Sequence, residues 1–190
     1  SAGIALEGTD GLWVRRRSGK LAELAESVDD APREATSGIG HTRWATHGRP
    51  TEANAHPHID CTGRLAIIHN GIVENFLELR HRLEDSGHTF ASDTDTEVLA
   101  HLIEQELASG VQLVDAVRSV MRVVEGALAI AVVHADAPGL VVGARRVSPL
   151  VAGTSDGAAV LASDIPAILG VTRDVFVIEV LSHTDYDRLL

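Results

Sequence analysis

A chain of 190 residues with 45% hydrophobic side chains can bury one sizeable core or two small ones, and with only 3% aromatics that core must be aliphatic. The formal charge is -11, and the densest basic stretch, Arg15, Arg16, Arg17 and Lys20, is short and followed by acids, so nucleic acid is not expected as a partner. The longest apolar run, Ala127 to Val133, falls far short of the roughly 20 residues a helix needs to cross a bilayer. The first residues carry no signal-peptide pattern, and the one cysteine, Cys61, has no internal partner, so a reducing cytoplasm is the expected setting.

In chain order, Gly3 to Leu6 and Leu12 to Arg17 read as strands around the turn signal Gly8-Thr9-Asp10-Gly11. Lys20 to Val28 places Leu21, Leu24, Ala25 and Val28 on one helical face. Ile39 to Trp44 and Leu65 to His69 read as strands separated by a polar loop rich in His and Pro. Phe76, Leu79 and Leu83 recur at helical spacing until Gly87. The next helix is expected to open on a capping box formed by Thr94 and Glu97, with Val98, Leu99, Leu102, Ile103 and Leu107 as its buried stripe and Gly110 as its end. Leu113, Val117, Val120, Met121 and Val124 form a third stripe, closed by Gly126.

Ala127 to Val133 is apolar without alternation, which predicts a strand buried on both faces. Leu140 to Ala144, Leu150 to Gly153, Ala158 to Ala162 and Val175 to Val180 follow as strands. Strands thus gather at both ends of the chain with helices between, a pattern for two packed sheets covered by helices and not for an alternating parallel sheet. Ser1 to Leu6 already reads as strand. Leu181 to Asp187 reads as a polar connector, which divides the chain into a domain over 1–180 and a connector over 181–190.

Three segments carry chemistry. The first runs from His41-Thr42-Arg43-Trp44-Ala45-Thr46-His47-Gly48 to Asn54-Ala55-His56-Pro57-His58 and offers a fixed cation with hydroxyl and imidazole donors at a strand end, a set suited to a carboxylate. The third, Ser92-Asp93-Thr94-Asp95-Thr96-Glu97, offers Asp95 as a compact acceptor for an ammonium. Arg43 and Asp95 together would hold an amino acid by both charged ends; the alternative is a salt bridge between them or to the surface. The second, His69-Asn70-Gly71-Ile72-Val73-Glu74-Asn75, is either a tight turn or a pair of donors, the Asn70 amide and a backbone N–H, converging on a developing oxyanion. His41, His47, His56, His58 and His69 invite a zinc reading, but no Cys pair or His-Glu-x-x-His spacing supports one, so no metal and no cofactor are expected. Cys61 lies in a mid-chain turn with no neighbouring base in sequence and reads as a small buried or semi-exposed residue.

The block from Gly40 to Thr51 with Asn54 to His58, followed in order by His69-Asn70-Gly71-Ile72 and Ser92 to Glu97, resembles the signature of the glutamine–fructose-6-phosphate aminotransferase family. Ser148-Pro149-Leu150 and Ala162-Ser163-Asp164 are similar to weaker later blocks, and the resemblance extends to about Val180. It implies an α+β fold, a four-layer αββα sandwich of the N-terminal nucleophile hydrolase type. It also implies a glutaminase domain that frees ammonia from L-glutamine for the conversion of fructose 6-phosphate to glucosamine 6-phosphate in further, sugar-phosphate isomerase domains. In that family an N-terminal Cys, with its own α-amine as base, attacks the glutamine side-chain amide.

Carried onto this sequence, the resemblance gives Arg43, Thr46 and His47 to the glutamine carboxylate and Asp95 to its ammonium. Asn70 (side chain) and Gly71 (backbone N–H) become the oxyanion hole, and Trp44 a cover that gates ammonia. The family's Cys-Gly-Ile segment has no counterpart here, since Ser1 aligns downstream of it. The chain as it stands is therefore expected to be inert, and the complete protein to be an active homodimer. A degenerate glutamine-binding or scaffold module is the second reading, and a zinc-binding domain the third.

Overall fold

The turn at Thr9-Asp10 folds β1 (Ala2–Gly8) back onto β2 (Gly11–Arg17), and β3 (Gly38–Thr42) adds to the free edge of β1, giving the order β2-β1-β3. The computed structural model describes residues 1–43 and 51–178. Between β2 and β3 lies α1 (Leu21–Ala25), which rests against β1 and β2. It is shorter than the expected Lys20 to Val28, because Ser27 turns both its N–H and its hydroxyl onto the Leu24 carbonyl and the acidic pair Asp29-Asp30 follows.

A second sheet has the order β4-β5-β6-β7, from β4 (His58–Ile59), β5 (Leu65–Gly71), β6 (Leu128–His134) and β7 (Val142–Arg146). Between β5 and β6 run the helices α2 (Phe76–Asp85), α3 (Thr96–Ala108) and α4 (Leu113–Val123). A third sheet contains β8 (Val151–Ser155), β9 (Ala158–Ala162) and β10 (Val175–Val177) in the order β10-β8-β9. Every pairing among the described residues is antiparallel. β7 sits two residues later than the expected Leu140 to Ala144. Its terminal Arg145 and Arg146 are tolerated because their guanidinium groups donate to backbone carbonyls of Ser148, Val147, Ile178, Val124 and Met121. The short α5 (Ile165–Ile168) was not evident from spacing; Asp164 caps it by accepting from the Ile165 N–H.

β6 is buried on both faces, as its unbroken apolar run predicts. Leu128, Ile130 and Val132 pack under α2, α3 and α4 with Leu79, Leu83, Leu99 and Ile103. Ala131 and Val133 face the first sheet with Ala5, Ile39 and Ala66. Alanines at this second interface let the two sheets approach closely. The layers are thus helices, sheet, sheet, with α1 against the first sheet, and each fully buried Leu or Ile stabilises the stack by about 2 kcal/mol.

The start of α3 departs from the expected capping box. Asp95 is the N-cap, without a side-chain cap bond. Glu97 reaches back past Thr94 and accepts from the N–H groups of Ala91 and Ser92 and from the Ser92 hydroxyl. Thr94 instead bonds Ser92 Oγ and His58 Nε2, so the loop before α3 is tied to β4 and not only to its own helix.

Candidate active site

Asn70 and Gly71 form no turn: they are the last two residues of β5, in register with Ala129 and Leu128 of β6. Gly71 has φ +131°, and a Cβ there would stand 1.8 Å from the Ala127 carbonyl oxygen, so only glycine fits. Ile72 donates to that same oxygen at 2.9 Å. N–H groups alternate sides along an antiparallel strand, so the Gly71 N–H faces away from β6. On that side β4 pairs with β5 only as far as Ile67, leaving the end of β5 open.

A cavity of about 330 Å³ opens at this strand end, lined by Arg43, Asn70, Gly71 and Asp95 together with His41 and Thr96. Four residues from three separate stretches of sequence, on or beside three different elements, therefore meet in one concave space. Arg43 follows β3 directly, its N–H bonded to the Ser1 carbonyl at 2.8 Å. Burial lowers the Arg43 guanidinium from its usual range, the Asp95 carboxylate opposes that, and the group stays a cation at neutral pH. Asp95 Oδ2 accepts the Val73 N–H at 2.8 Å, which fastens the N-terminus of α3 to the segment leaving β5. A larger cavity of about 430 Å³ lies beside the first, between β3, β5 and β6 and the β8–β9 hairpin, and Asn70, His41 and His69 border both.

His41 on β3 places Nε2 2.7 Å from Asn70 Oδ1. Burial lowers its pKa, and the Asn70 contact opposes the shift, so the ring is neutral at physiological pH. A neutral ring with its proton on Nε2 donates to Oδ1 and leaves the two Asn70 Nδ2 hydrogens for the cavity. The opposite amide orientation would turn an acceptor towards any developing anion.

Behind these groups runs a buried chain of rings and hydroxyls. Thr96 Oγ1 lies 2.9 Å from His69 Nδ1 and 3.0 Å from His56 Nε2. The His56 ring lies 4.4 Å from that of His41 and 4.8 Å from that of His58. Burial holds His58 down to about 3, His69 to about 4 and His56 well below the ordinary value. These histidines are hydrogen-bonded neutral rings.

Of the expected site residues, Arg43, Asn70, Gly71 and Asp95 share the cavity, while Trp44, Thr46 and His47 lie outside the described residues. The sequence pattern places His41 among the donors beside Arg43 but gives neither it nor Thr96 a place against Asn70 or in the cavity. The signal was available for His41: it follows Ile39 by two residues on one strand, so its side chain shares the face of Ile39, which meets the second sheet. One expectation needs correction. Cys61 is exposed, and two imidazoles stand beside it, His101 Nδ1 at 3.5 Å and His88 Nδ1 at 3.7 Å from its sulfur. They come from α3 and from the segment before it, so sequence proximity could not reveal them. Cys61 lines neither cavity.

Residues 41–170 match the family model described as glutamine amidotransferase domain. The chain is 52% identical over 175 residues to the glutamine–fructose-6-phosphate aminotransferase [isomerizing] of Streptomyces coelicolor, covering 92% of this chain and 28% of that protein. It is 54% identical over 175 residues to the enzyme of the same name from Thermus thermophilus, with the same coverage of 92% and 28%. The enzyme of the same name from Methanothermobacter thermautotrophicus is 49% identical over 168 residues, covering 88% of this chain and 28% of that protein. The chain thus spans less than a third of the length of these relatives. Among solved structures, the glutamine phosphoribosylpyrophosphate amidotransferase from B. subtilis, complexed with ADP and GMP, superposes with a TM-score of 0.73 at 28% identity over 88% of this chain and 36% of that one. The α+β sandwich is of the N-terminal nucleophile hydrolase type. With a matched segment reaching from β3 past α5, the chain belongs to the glutamine amidotransferase domain family.

Proposed function

We propose that this chain is the glutamine-hydrolysing domain of an enzyme that passes ammonia to fructose 6-phosphate and forms glucosamine 6-phosphate. The observation that carries the reading is the single cavity in which Arg43 and Asp95 accompany two anion-stabilising donors, Asn70 and Gly71. Glutamine would lie with its α-carboxylate on the Arg43 fork and its α-ammonium on Asp95. Its side-chain carbonyl would then meet the Asn70 amide and the Gly71 N–H, which stabilise the oxyanion formed on attack. Trp44, Thr46 and His47 complete the carboxylate side and the cover in this proposal.

The attacking thiolate belongs, in the same reading, to an N-terminal Cys whose α-amine serves as base, and it forms a thioester that water hydrolyses after ammonia leaves. The relatives' name and the 28% of their length that the chain covers support further domains for the sugar phosphate in the complete protein. A homodimer in the cytoplasm is part of the proposal. Among the described residues no helix is long and apolar enough to cross a membrane.

The test is an assay of the complete protein for glutamate and glucosamine 6-phosphate formed from glutamine and fructose 6-phosphate. Stoichiometric formation of both supports the proposal. Glutamine binding without hydrolysis, in the presence and absence of the sugar phosphate, would favour the binding-module reading instead.

A further inference from the structure

Outside the proposed glutamine cavity, one cluster of side chains among the described residues has the chemistry and spacing of a metal site. Cys61 sits in the β4–β5 turn, His88 in the connection after α2, and His101 and Glu104 one turn apart on α3. Each contributes one atom, and these four atoms lie within 4.8 Å of one another. The sulfur of Cys61 is 3.5 Å from His101 Nδ1 and 3.7 Å from His88 Nδ1. Glu104 Oε2 is 3.0 Å from His101 Nδ1 and 3.1 Å from His88 Nδ1. A tetrahedral zinc ion with bonds of about 2.0 Å to N and O and about 2.3 Å to S needs ligand atoms roughly 3.3 to 3.6 Å apart, so these four edges require adjustments of a few tenths of an ångström, and the remaining two, within 4.8 Å, would close by up to roughly an ångström on binding.

We infer that Cys61, His88, His101 and Glu104 form a structural Zn²⁺ site. The donor set decides the metal: one thiolate and two imidazoles favour zinc over the hard cations that carboxylates and carbonyls select. Four protein ligands leave no open position, which makes the site structural and not hydrolytic. Around it stands the outer support that metal-bound histidines use. His101 is almost fully buried, and its second nitrogen, Nε2, faces Glu97 Oε1 at 3.6 Å. Glu97 is held in turn by the N–H groups of Ala91 and Ser92. The ion would clip the β4–β5 turn and the α2–α3 connection to α3, the helix whose N-cap is Asp95.

The complete protein is stripped with a chelator and titrated with Zn²⁺ against a chromophoric competitor, alongside Cys61→Ser and Glu104→Gln. Wild type is expected to hold one equivalent more zinc per chain than Cys61→Ser, with affinity at least a hundredfold higher at that site. Co²⁺ should give a thiolate-to-metal charge-transfer band in wild type that Cys61→Ser lacks, and zinc should raise the melting temperature of wild type more than that of either variant. If Cys61→Ser fails to fold, Glu104→Gln reads the same affinity difference with the thiolate intact. Equal zinc affinity in wild type and the folded variants, or no cobalt–thiolate band, overturns the inference.

Discussion

His41 Nε2 stands 2.7 Å from Asn70 Oδ1, and this one contact orients the Asn70 amide so that its nitrogen faces the cavity. Two neighbouring sheets supply the two residues, so the orientation depends on how β3 packs against β5. Asn70→Asp should lower glutamine turnover by two to three decades, about 3 kcal/mol, while glutamine affinity is largely kept. Ionised aspartate has no donor and places charge where charge must develop. Near-normal turnover of the folded variant would leave Asn70 a strand residue only. His41→Phe removes the orienting donor at similar size, and turnover should fall about fivefold, in line with one lost hydrogen bond of about 1 kcal/mol, with KM little changed.

Arg43→Lys should weaken glutamine binding by at least about tenfold despite the retained charge, since an ammonium cannot make two parallel bonds to a carboxylate. Asp95→Asn is the complementary change. Its side-chain oxygen can still accept the Val73 N–H, so the fold is kept, and what is lost is the countercharge for an ammonium. Isothermal titration with glutamine reads both variants, and unchanged affinity in either removes that residue from the proposed substrate contacts.

The sequence carried the strands, the three long helices and the doubly buried β6 because each is written in local periodicity. It did not carry the two-residue β4, whose His58 and Ile59 have too little pattern to register, nor α5, which is a capped turn of four residues. Asn70-Gly71 looked open to a turn reading because the pair is common in turns, and only its register with β6 decides otherwise. The candidate site residues were visible as three separated blocks, while the convergence of Arg43, Asn70, Gly71 and Asp95 is a property of packing. The Cys61 cluster was hidden for the same reason. Its only local hint was His101 and Glu104 three apart on one helix face, a spacing that brings two ligands together.

Gly71→Ala should be among the most damaging single substitutions in the chain. The new Cβ would meet the Ala127 carbonyl in a conformation that L side chains rarely adopt, and β6 is packed on both faces and cannot retreat. The expected loss is about 3 kcal/mol or more, measured by urea unfolding and accompanied by loss of turnover. A variant of wild-type stability would mean that the strand end relaxes freely.

Stability should fall on mild acidification. His58 and His69 are held at about 3 and about 4 because burial excludes the charged ring, while the unfolded chain takes up these protons near 6.5. Their contribution is therefore complete above pH 6.5 and is lost as pH falls towards the folded values. Each ring costs about 2 kcal/mol between pH 7 and 5. His56 acts in the same direction, and His101, raised by Glu97 and Glu104 against its burial, offsets part of the loss. Urea midpoints of the chelator-treated protein at pH 7.5, 6.5, 5.5 and 5.0 check this, and a flat profile would show that the rings are solvated.

The two halves of the cavity rest on backbone of unlike stability. Asn70 and Gly71 extend an interior strand laddered to β6, so their backbone shifts only when the central sheet opens. His41 and Thr42 end an edge strand among the described residues, held on one side by β1 alone. Local opening at that edge would loosen Arg43 and release His41 from Asn70 while the Gly71 backbone stays in place, so in the proposed site the amino-acid grip and the Asn70 orientation would be lost and restored together.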